Sequence, residues 1–568
     1  MKIRKLEIRN FRGVSKLEWN LPKAHIFCLI GKGDSSKSTI LDAIRYTFYP
    51  QWNLTLSDAD FNNGNIGNSI TIEATIGELV DDFCSFAKYG HYLRGWDSDA
   101  FQINDEPDDH LENVLTVRFT VGKDLEPQWV VVCDRQPDGV PFKQADRNKV
   151  SVGLIGTFSE RQLSWATGTA LSKLTVAQSL NELLADASRN ARSSLDAKRE
   201  ETLKNFDAAA LKSQEVAKLL GVPVVDAYKA HLDLASINLK VGGLVLHDGE
   251  IPLRQLGLGS RRMLLCGIQK MGLDEGHITL FDEVELGLEP HRITRLIKHI
   301  REDKRGQYFL TTHSPTVLRE LTIDELYVVH REGGLTQVIP AAKKGLEQHE
   351  LQGKVRSSSD AFLAKKVIVC EGATEVGFLR GFDDYQVENK KDPLSYHGVA
   401  LLDVIGGSKV KPIAEAFKAL HYNVSALADG DADDQFSEAD ARELRGLDIP
   451  VFMWSDKLSL EERAFQDVPW AYVMRSLYLA RDTLNYSVRD QVLSKFDGNL
   501  DKELGHWEES PALRKAIGIA AKKSNWFKDI TRGDLWFKII KPAFEDDGFA
   551  KTDLSIQLTK LWKWVEHV

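Results

Sequence analysis

The sequence predicts an α/β protein in two α/β segments, with a helical insertion in the first and a helical extension after the second. Three observations carry that class. An apolar run at residues 27–30 passes through a polar, glycine-containing loop into Lys37-Ser38 and then a helical pattern. Two further short apolar runs, at 278–281 and 308–312, end in Asp282-Glu283 and in His313. Three more, at 366–370, 399–404 and 424–428, alternate with helical stretches, as the strands of a parallel sheet do.

Composition bounds the possibilities. A chain of 568 residues has room for about three or four domains. Its 43% hydrophobic and 27% charged residues are ordinary for a folded globular protein. A net charge of -10 argues against a protein that coats nucleic acid over its whole surface, yet permits a local basic groove. The five cysteines (Cys28, Cys84, Cys133, Cys266, Cys370) are scattered and lack metal-site spacing, so reduced thiols in the cytoplasm are expected. Residues 1–13 alternate like a strand and lack the apolar core of a signal peptide. No apolar run reaches the length of a membrane span, so a soluble protein with no membrane partner is expected.

In chain order, Ile3, Leu6 and Ile8 alternate with polar and basic residues as a half-buried strand, Asn10 to Gly13 turns, and residues 17–21 return. Gly31 closes the next strand, and strand, loop, Lys-Ser and helix together form the context of a phosphate-binding P-loop. The loop N–H groups around Gly31 and Gly33 would cradle the phosphates of ATP. Lys37 would reach the β- and γ-phosphates, Ser38 would hold Mg²⁺, and Thr39 opens the helix beneath. Ser36 stands where the second P-loop glycine is usual. Serine tolerates positive φ poorly, so the loop is expected to close differently there. Residues 70–76 and 115–121 alternate strongly and 129–133 are apolar, which suggests a flanking antiparallel sheet.

From 159 to 235 the period is helical: Leu171, Leu174, Ala177, Leu180 and Leu184, then Leu195, Leu203, Phe206 and Leu211, up to a break at Gly221-Val222-Pro223. This insertion either packs on its own core or supplies a dimerisation surface. Next, Gly259-Ser260 precede a helix. The apolar strand ending in Asp282-Glu283 has the Walker B arrangement, with Asp282 at the Mg²⁺ water shell and Glu283 orienting or deprotonating the attacking water. His313 follows the strand after that, where it could read the γ-phosphate. In the second segment Glu371 ends one strand, Glu375 stands one helical turn on, and Asp429-Gly430-Asp431 ends a later strand. Carboxylates at the C-terminal edge of a parallel sheet converge, and such oxygen ligands suit Mg²⁺ or Mn²⁺. Trp507, Trp526, Trp536, Trp562 and Trp564 are expected to be helix-packing core. The boundaries expected are 1–158 and 236–345 for the first α/β segment, 159–235 for the insertion, 346–364 for a linker and 365–568 for the second segment.

The opening hairpin and P-loop resemble ABC-type ATPases of the SMC, RecF and OLD kinds. The Gly259-Ser260 region resembles the ABC signature, which docks on the nucleotide of an opposite subunit. The strand-end Glu371 with Asp429-x-Asp431 resembles the Toprim pattern. An ABC/SMC-like ATPase followed by Toprim in one chain resembles the OLD (overcoming lysogenisation defect) nucleases. The resemblance implies an ATP-binding and hydrolysing, metal-dependent DNA endonuclease or nickase. It also implies a homodimer or higher oligomer acting in anti-phage defence, beside a protein or nucleic acid that senses infection. It further implies a later Glu and a Lys in a two-metal site. Glu462 is the expected glutamate with Glu461 as the alternative, and Lys538 the expected lysine with Lys541 as the alternative. The competing expectation is a DNA-clamping ATPase whose Toprim domain is silent or controlled by a partner.

Overall fold

The computed structural model describes residues 1–51, 53–156, 163, 171, 184, 186–187, 189–190, 193, 204–220, 224–228, 246–271, 277–342, 348–432, 434–484 and 486–567. Most of the expected insertion, including Leu174, Ala177, Leu180, Leu195, Leu203 and the break at 221–223, lies outside the described residues, although Lys204–Leu219 is a helix. The chain forms two compact units. The first is Met1–Glu7, Asn20–His25 and Leu41–Phe309, and the second is Ile8–Trp19, Ile26–Ile40 and Leu310–Val568. Among the described residues no helix is long and apolar enough to cross a membrane.

The elements that position the sites are, in chain order, β1 (Lys2–Phe11), β2 (Val14–Asn20), β3 (Ile26–Ile30), α1 (Lys37–Thr47), β4 (Ile70–Gly77), β5 (Glu112–Val121), β6 (Pro127–Cys133) and β7 (Val152–Ile155). Then come α2 (Leu258–Met271), β8 (Ile278–Phe281), α3 (Pro290–Glu302), β9 (Gln307–Thr311), β10 (Leu326–Glu332) and β11 (Leu335–Pro340). The remainder are β12 (Lys366–Cys370), α4 (Ala373–Glu388), β13 (Val399–Asp403), α5 (Val410–Ala419), β14 (Asn423–Ala428), β15 (Val451–Met453), α6 (Leu460–Asp467), α7 (Pro511–Lys523), α8 (Ile530–Ile540) and α9 (Asp553–His567).

In the first unit β4 pairs antiparallel with β5 from Ile70↔Val121 to Ile76↔Leu115, and β5 pairs antiparallel with β6. The alternation of β4 buries Ile70, Ile72, Ala74 and Ile76 on one face. β7 and β8 run parallel, and all four residues of β8 are buried, which is why that strand reads as an unbroken apolar run. α3 starts with Pro290 at its first turn and buries Ile293, Leu296, Ile297 and Ile300, a single helical stripe.

In the second unit β3, buried throughout, lies parallel to β10, which turns back antiparallel into β11. A separate four-stranded sheet has the order β13-β12-β14-β15 and is parallel throughout. Residues 348–363, within the stretch expected as a linker, form a helix (Gln348–Ser357) and a 3-10 turn (Ser359–Leu363) with Leu351, Val355, Ala361 and Phe362 buried. The helical extension supplies core: Trp507, Trp526, Trp536 and Trp562 are buried in one cluster and Trp564 packs against it.

α4 and α8 cross at bare backbone. A Cβ on Gly377 would lie 2.3 Å from the Ile530 carbonyl oxygen, and one on Gly533 would lie 2.8 Å from that of Thr374. Neither obstacle is a side chain that can swing away. Gly377→Ala is therefore expected to destabilise the protein by about 2 kcal/mol in urea unfolding. Gly446→Ala, whose Cβ would meet open space, should stay within about 0.5 kcal/mol of wild type.

Candidate functional site

The phosphate loop is held by backbone geometry. Gly31 has φ +136°, and a Cβ there would meet the Val329 carbonyl oxygen at 2.6 Å, so only glycine fits. Gly33 is exposed with nothing within 4 Å of a Cβ, so the fold places no such demand on it. Ser36 corrects the expectation that the loop must avoid the left-handed region, because it adopts φ +74°. Its hydroxyl sits 2.5 Å from where a Cβ of Gly13 would be, so Gly13, in the first hairpin turn, leaves the space. Lys37 is 5% exposed, and its ammonium donates to the Gly31 carbonyl (3.1 Å), the Lys32 carbonyl (2.9 Å) and Ser35 Oγ (3.3 Å). Ser38 is exposed and Thr39 half-buried at the start of α1.

In the first unit Asp282 is half-buried at the end of β8 and Glu283 is exposed with φ +47°. Arg262, fully buried on α2, ties this turn down. It donates to the carbonyls of Asp282 (2.7 Å), Leu286 (3.3 Å) and Ile155 (3.3 Å). Sequence reasoning passed over Arg262, although an arginine one turn beyond Gly259 on an otherwise apolar helix face was the available signal. Gly259 packs so closely that a Cβ would lie 2.1 Å from the Gly287 carbonyl oxygen, and Ser260 Oγ accepts from Arg292 at 2.9 Å. His313 is exposed just past β9.

The parallel sheet of the second unit brings its acidic residues together. Glu371 leaves β12, and its Oε2 accepts from the Asp429 N–H at 3.1 Å, which joins the ends of β12 and β14. The Gly406-Gly407 loop after β13 closes on the same carboxylate, since a Cβ on Gly407 would lie 3.3 Å from Glu371 Oε1. Asp429 Oδ1 accepts from Trp454 Nε1 (3.1 Å) and from the Leu460 N–H (2.9 Å), which fixes the carboxylate. Glu375, in the first turn of α4, accepts from the Gly372 N–H at 2.8 Å. Asp429, Glu375 and Glu461 are 8%, 4% and 6% exposed.

Two expected residues stand elsewhere. Glu462 is occupied as a helix cap: its Oε2 accepts from the Ser459 N–H (3.1 Å) and its own N–H donates to Ser459 Oγ (3.2 Å). The adjacent Glu461 is the one that faces Glu375 and Asp429, whose carboxyls it perturbs. Lys538 pairs with Asp534 (2.8 Å) and Asp384 (3.4 Å), and Lys541 with Glu388 (2.6 Å). Asp384 is nine residues along α4 from Glu375, roughly 13 Å at helical rise. The cations at the cluster are instead Lys522, ion-paired with Asp431 and close to Glu371, and Lys528, close to Glu371 and Glu461. α7 reaches there because Gly518 lets it touch α6: a Cβ would lie 2.8 Å from Glu462 Cα.

Burial and mutual repulsion raise this set. Burial first, then Glu461 and Glu371, push Glu375 up to about 8. Burial, then Glu375, Glu371 and Glu461, push Asp429 well above the carboxylate range. Glu371 and Glu461 rise through burial, offset in part by the lysines. Among the described residues no three His, Cys, Asp or Glu side chains are already arranged to hold a metal ion. The donor set nevertheless fits a hard divalent cation in its chemistry: carboxylate oxygens only, with like charge incompletely compensated.

The folded state binds these protons more tightly than the unfolded chain. Stability of the metal-free protein should therefore fall as pH rises from about 4.5 to about 8. Mg²⁺ or Mn²⁺ should raise the melting temperature at the upper end of that window by about 5 °C. Differential scanning fluorimetry in chelator and in either cation checks both. Melting that climbs with pH, or that ignores the cations, would contradict the assignment.

An AAA ATPase domain model matches residues 1–119, a second AAA domain model, of an AbiEii-type toxin from a Type IV TA system, matches 158–319, and an "Overcoming lysogenization defect protein-like, TOPRIM domain" model matches 362–431. No curated protein matches the chain. Similar solved structures include an SmcHead bound to the C-winged helix domain of ScpA, at 14% identity and TM-score 0.31, covering 60% of this chain and 98% of that one. The SMC head domain from Thermotoga maritima follows at 14% identity and TM-score 0.30, covering 60% and 100%. An Smc head with an extended coiled coil, bound to the C-terminal domain of ScpA derived from Pyrococcus furiosus, has 13% identity and TM-score 0.30, covering 59% and 95%. Similarity at that level carries no weight for activity. AAA ATPase domains followed by an OLD-like TOPRIM domain match an OLD-family ATPase–Toprim fusion.

Proposed function

We propose that this protein is an ATP-binding and ATP-hydrolysing, divalent-metal-dependent DNA endonuclease or nickase of the OLD type. The observation that carries the reading is the set of buried Glu375, Asp429 and Glu461 with half-buried Glu371 at one sheet edge, with Lys522 and Lys528 beside it. Glu371, Asp429 and Glu461 would hold Mg²⁺ or Mn²⁺, with Asp431 joining once Lys522 turns to the scissile phosphate. Such a cation, when bound, lowers the pKa of water and stabilises charge on the leaving oxygen. Lys522 and Lys528 would offset charge at the phosphate. The Trp454 and Leu460 hydrogen bonds hold Asp429 in orientation. Glu375, the least exposed of the set, holds a proton near neutral pH when no cation is bound, and a cation would favour its ionised form.

At the nucleotide site Lys37 and Ser38 would engage the phosphates and Mg²⁺, with Asp282 at the ion's water shell. Glu283 would orient the attacking water, and His313 would read the γ-phosphate. Gly259 and Ser260 would dock on nucleotide held by a second subunit, which makes the working form a homodimer or larger. In this reading residues 159–235 supply dimer contacts, 236–345 complete the ATPase begun by 1–158, and 365–568 form the nuclease. Anti-phage defence in the cytoplasm, beside a partner that senses infection, is the setting the family suggests.

Incubation of supercoiled plasmid with Mg²⁺ or Mn²⁺, with and without ATP, tests the reading. Nicked or linear product is expected from wild type. Asp429→Ala and Glu461→Gln should each reduce it on the order of 100-fold or more. Glu462→Gln and Lys538→Ala should leave it within about threefold of wild type, whereas Lys522→Ala should cost at least about tenfold. Absence of cleavage with every cation, with ATP turnover and DNA binding intact, would favour a DNA-clamping ATPase.

A further inference from the structure

Within the second unit a cavity of about 360 Å³ lies against the outer flank of the phosphate loop. One wall is the backbone of residues 31–35, and a second is His330 and Arg331 of β10 with the Gly333-Gly334 turn. The remaining wall, Leu420, His421 and Tyr422, is the turn between α5 and β14 and belongs to the Toprim half. That turn is firmly built: Tyr422 donates its hydroxyl to the Phe362 carbonyl at 2.6 Å and is buried. The His330 and His421 rings face one another at 4.7 Å between centroids, tilted by 34°. His330 Nε2 makes no hydrogen bond, the nearest carboxylate oxygen being that of Glu332 at 3.6 Å. Lys32 is half-buried, and the charge that acts on it is another cation, Lys365, while Lys366 in turn feels both.

We propose that this cavity receives the nucleoside half of a nucleoside triphosphate whose phosphates rest on the phosphate loop, so that the His421 turn forms one wall of the nucleotide site. The inference rests on the reading that this loop binds ATP. A ligand anchored by its phosphates at residues 31–37 has its remaining atoms within one ligand length of the cavity. The volume is in the range of small-molecule sites, and the flat faces of the two histidine rings suit a heteroaromatic base. Lys32 lines the cavity and the charge that acts on it is another cation, Lys365, which favours an anionic ligand at this edge.

The placement links the two chemistries. His421 stands two residues before β14, which ends at Asp429, and Lys366 opens β12, which ends at Glu371. The two strands are in register from Lys366↔Asn423 to Cys370↔Leu427. A nucleotide at the His421 turn and the carboxylates would thus lie at opposite ends of these strands, which are themselves roughly 17–20 Å long.

Isothermal titration of the full chain with MgATP and, separately, with inorganic tripolyphosphate tests the proposal. His421 has φ +63°, a conformation asparagine tolerates, so His421→Asn is the first variant and His330→Ala the second, in case the first fails to fold. Each should weaken ATP about tenfold and leave tripolyphosphate unchanged. Unchanged ATP affinity in both variants would overturn the proposal. So would equal loss for ATP and tripolyphosphate, which would make the cavity an anion site. Lys37→Ala separates the underlying reading: if wild type binds no ATP, or Lys37→Ala binds it as well, the phosphate-loop assignment itself fails. If Lys37→Ala abolishes binding while His421→Asn does not alter it, only the cavity proposal fails.

Discussion

Four acidic side chains gathered in one buried corner are the constraint on which the second unit is built. Glu371, Glu375, Asp429 and Glu461 repel one another where water screens them poorly, Glu371 being half-buried and the others buried, and burial raises each of their pKa values. Such an arrangement costs stability and persists only if the surrounding structure holds it. The holding groups are identifiable. Backbone N–H groups of Gly372, Asp429 and Leu460 and the Trp454 indole each donate to one of the carboxylates. Behind them the tryptophan-rich core fixes α4, α6 and α8, and the Gly377–Gly533 crossing sets how closely α4 can lie.

The phosphate loop meets a comparable problem with a different remedy. A loop that turns its N–H groups inward needs residues at positive φ, and here Gly31, Asp34 and Ser36 take those conformations. A serine in that role keeps a side chain that must go somewhere. The hairpin glycine, Gly13, yields the volume. Substitution of the usual glycine is thus accompanied by a glycine elsewhere in the fold, at the turn that lies over it.

Much of this was legible in the sequence where one physical rule dominates. Strands buried on both faces read as unbroken apolar runs, so Ile278–Phe281 and Lys366–Cys370 are found to the residue. Strand-end Glu371 and Asp429 follow from parallel topology. What stayed hidden depends on which way a side chain faces. Between Glu461 and Glu462 the deciding feature is the Ser459-x-x-Glu462 capping box, a local signal present in the sequence that marks Glu462 as a helix cap. The lysines were different. Lys522 reaches Asp431 because α7 meets α6 at Gly518, a contact between distant segments that no local pattern encodes. The Gly13–Ser36 exchange is hidden for the same reason.

In the proposed reading the carboxylates that the fold gathers, and not merely those a motif suggests, form the metal centre. Anomalous diffraction from Mn²⁺-soaked crystals tests it most directly. Manganese is expected within coordination distance of Glu371, Asp429 and Glu461, with Glu462 still capping its helix. Manganese bound by Glu462 with Glu461 turned away, or none at this sheet edge, would contradict it.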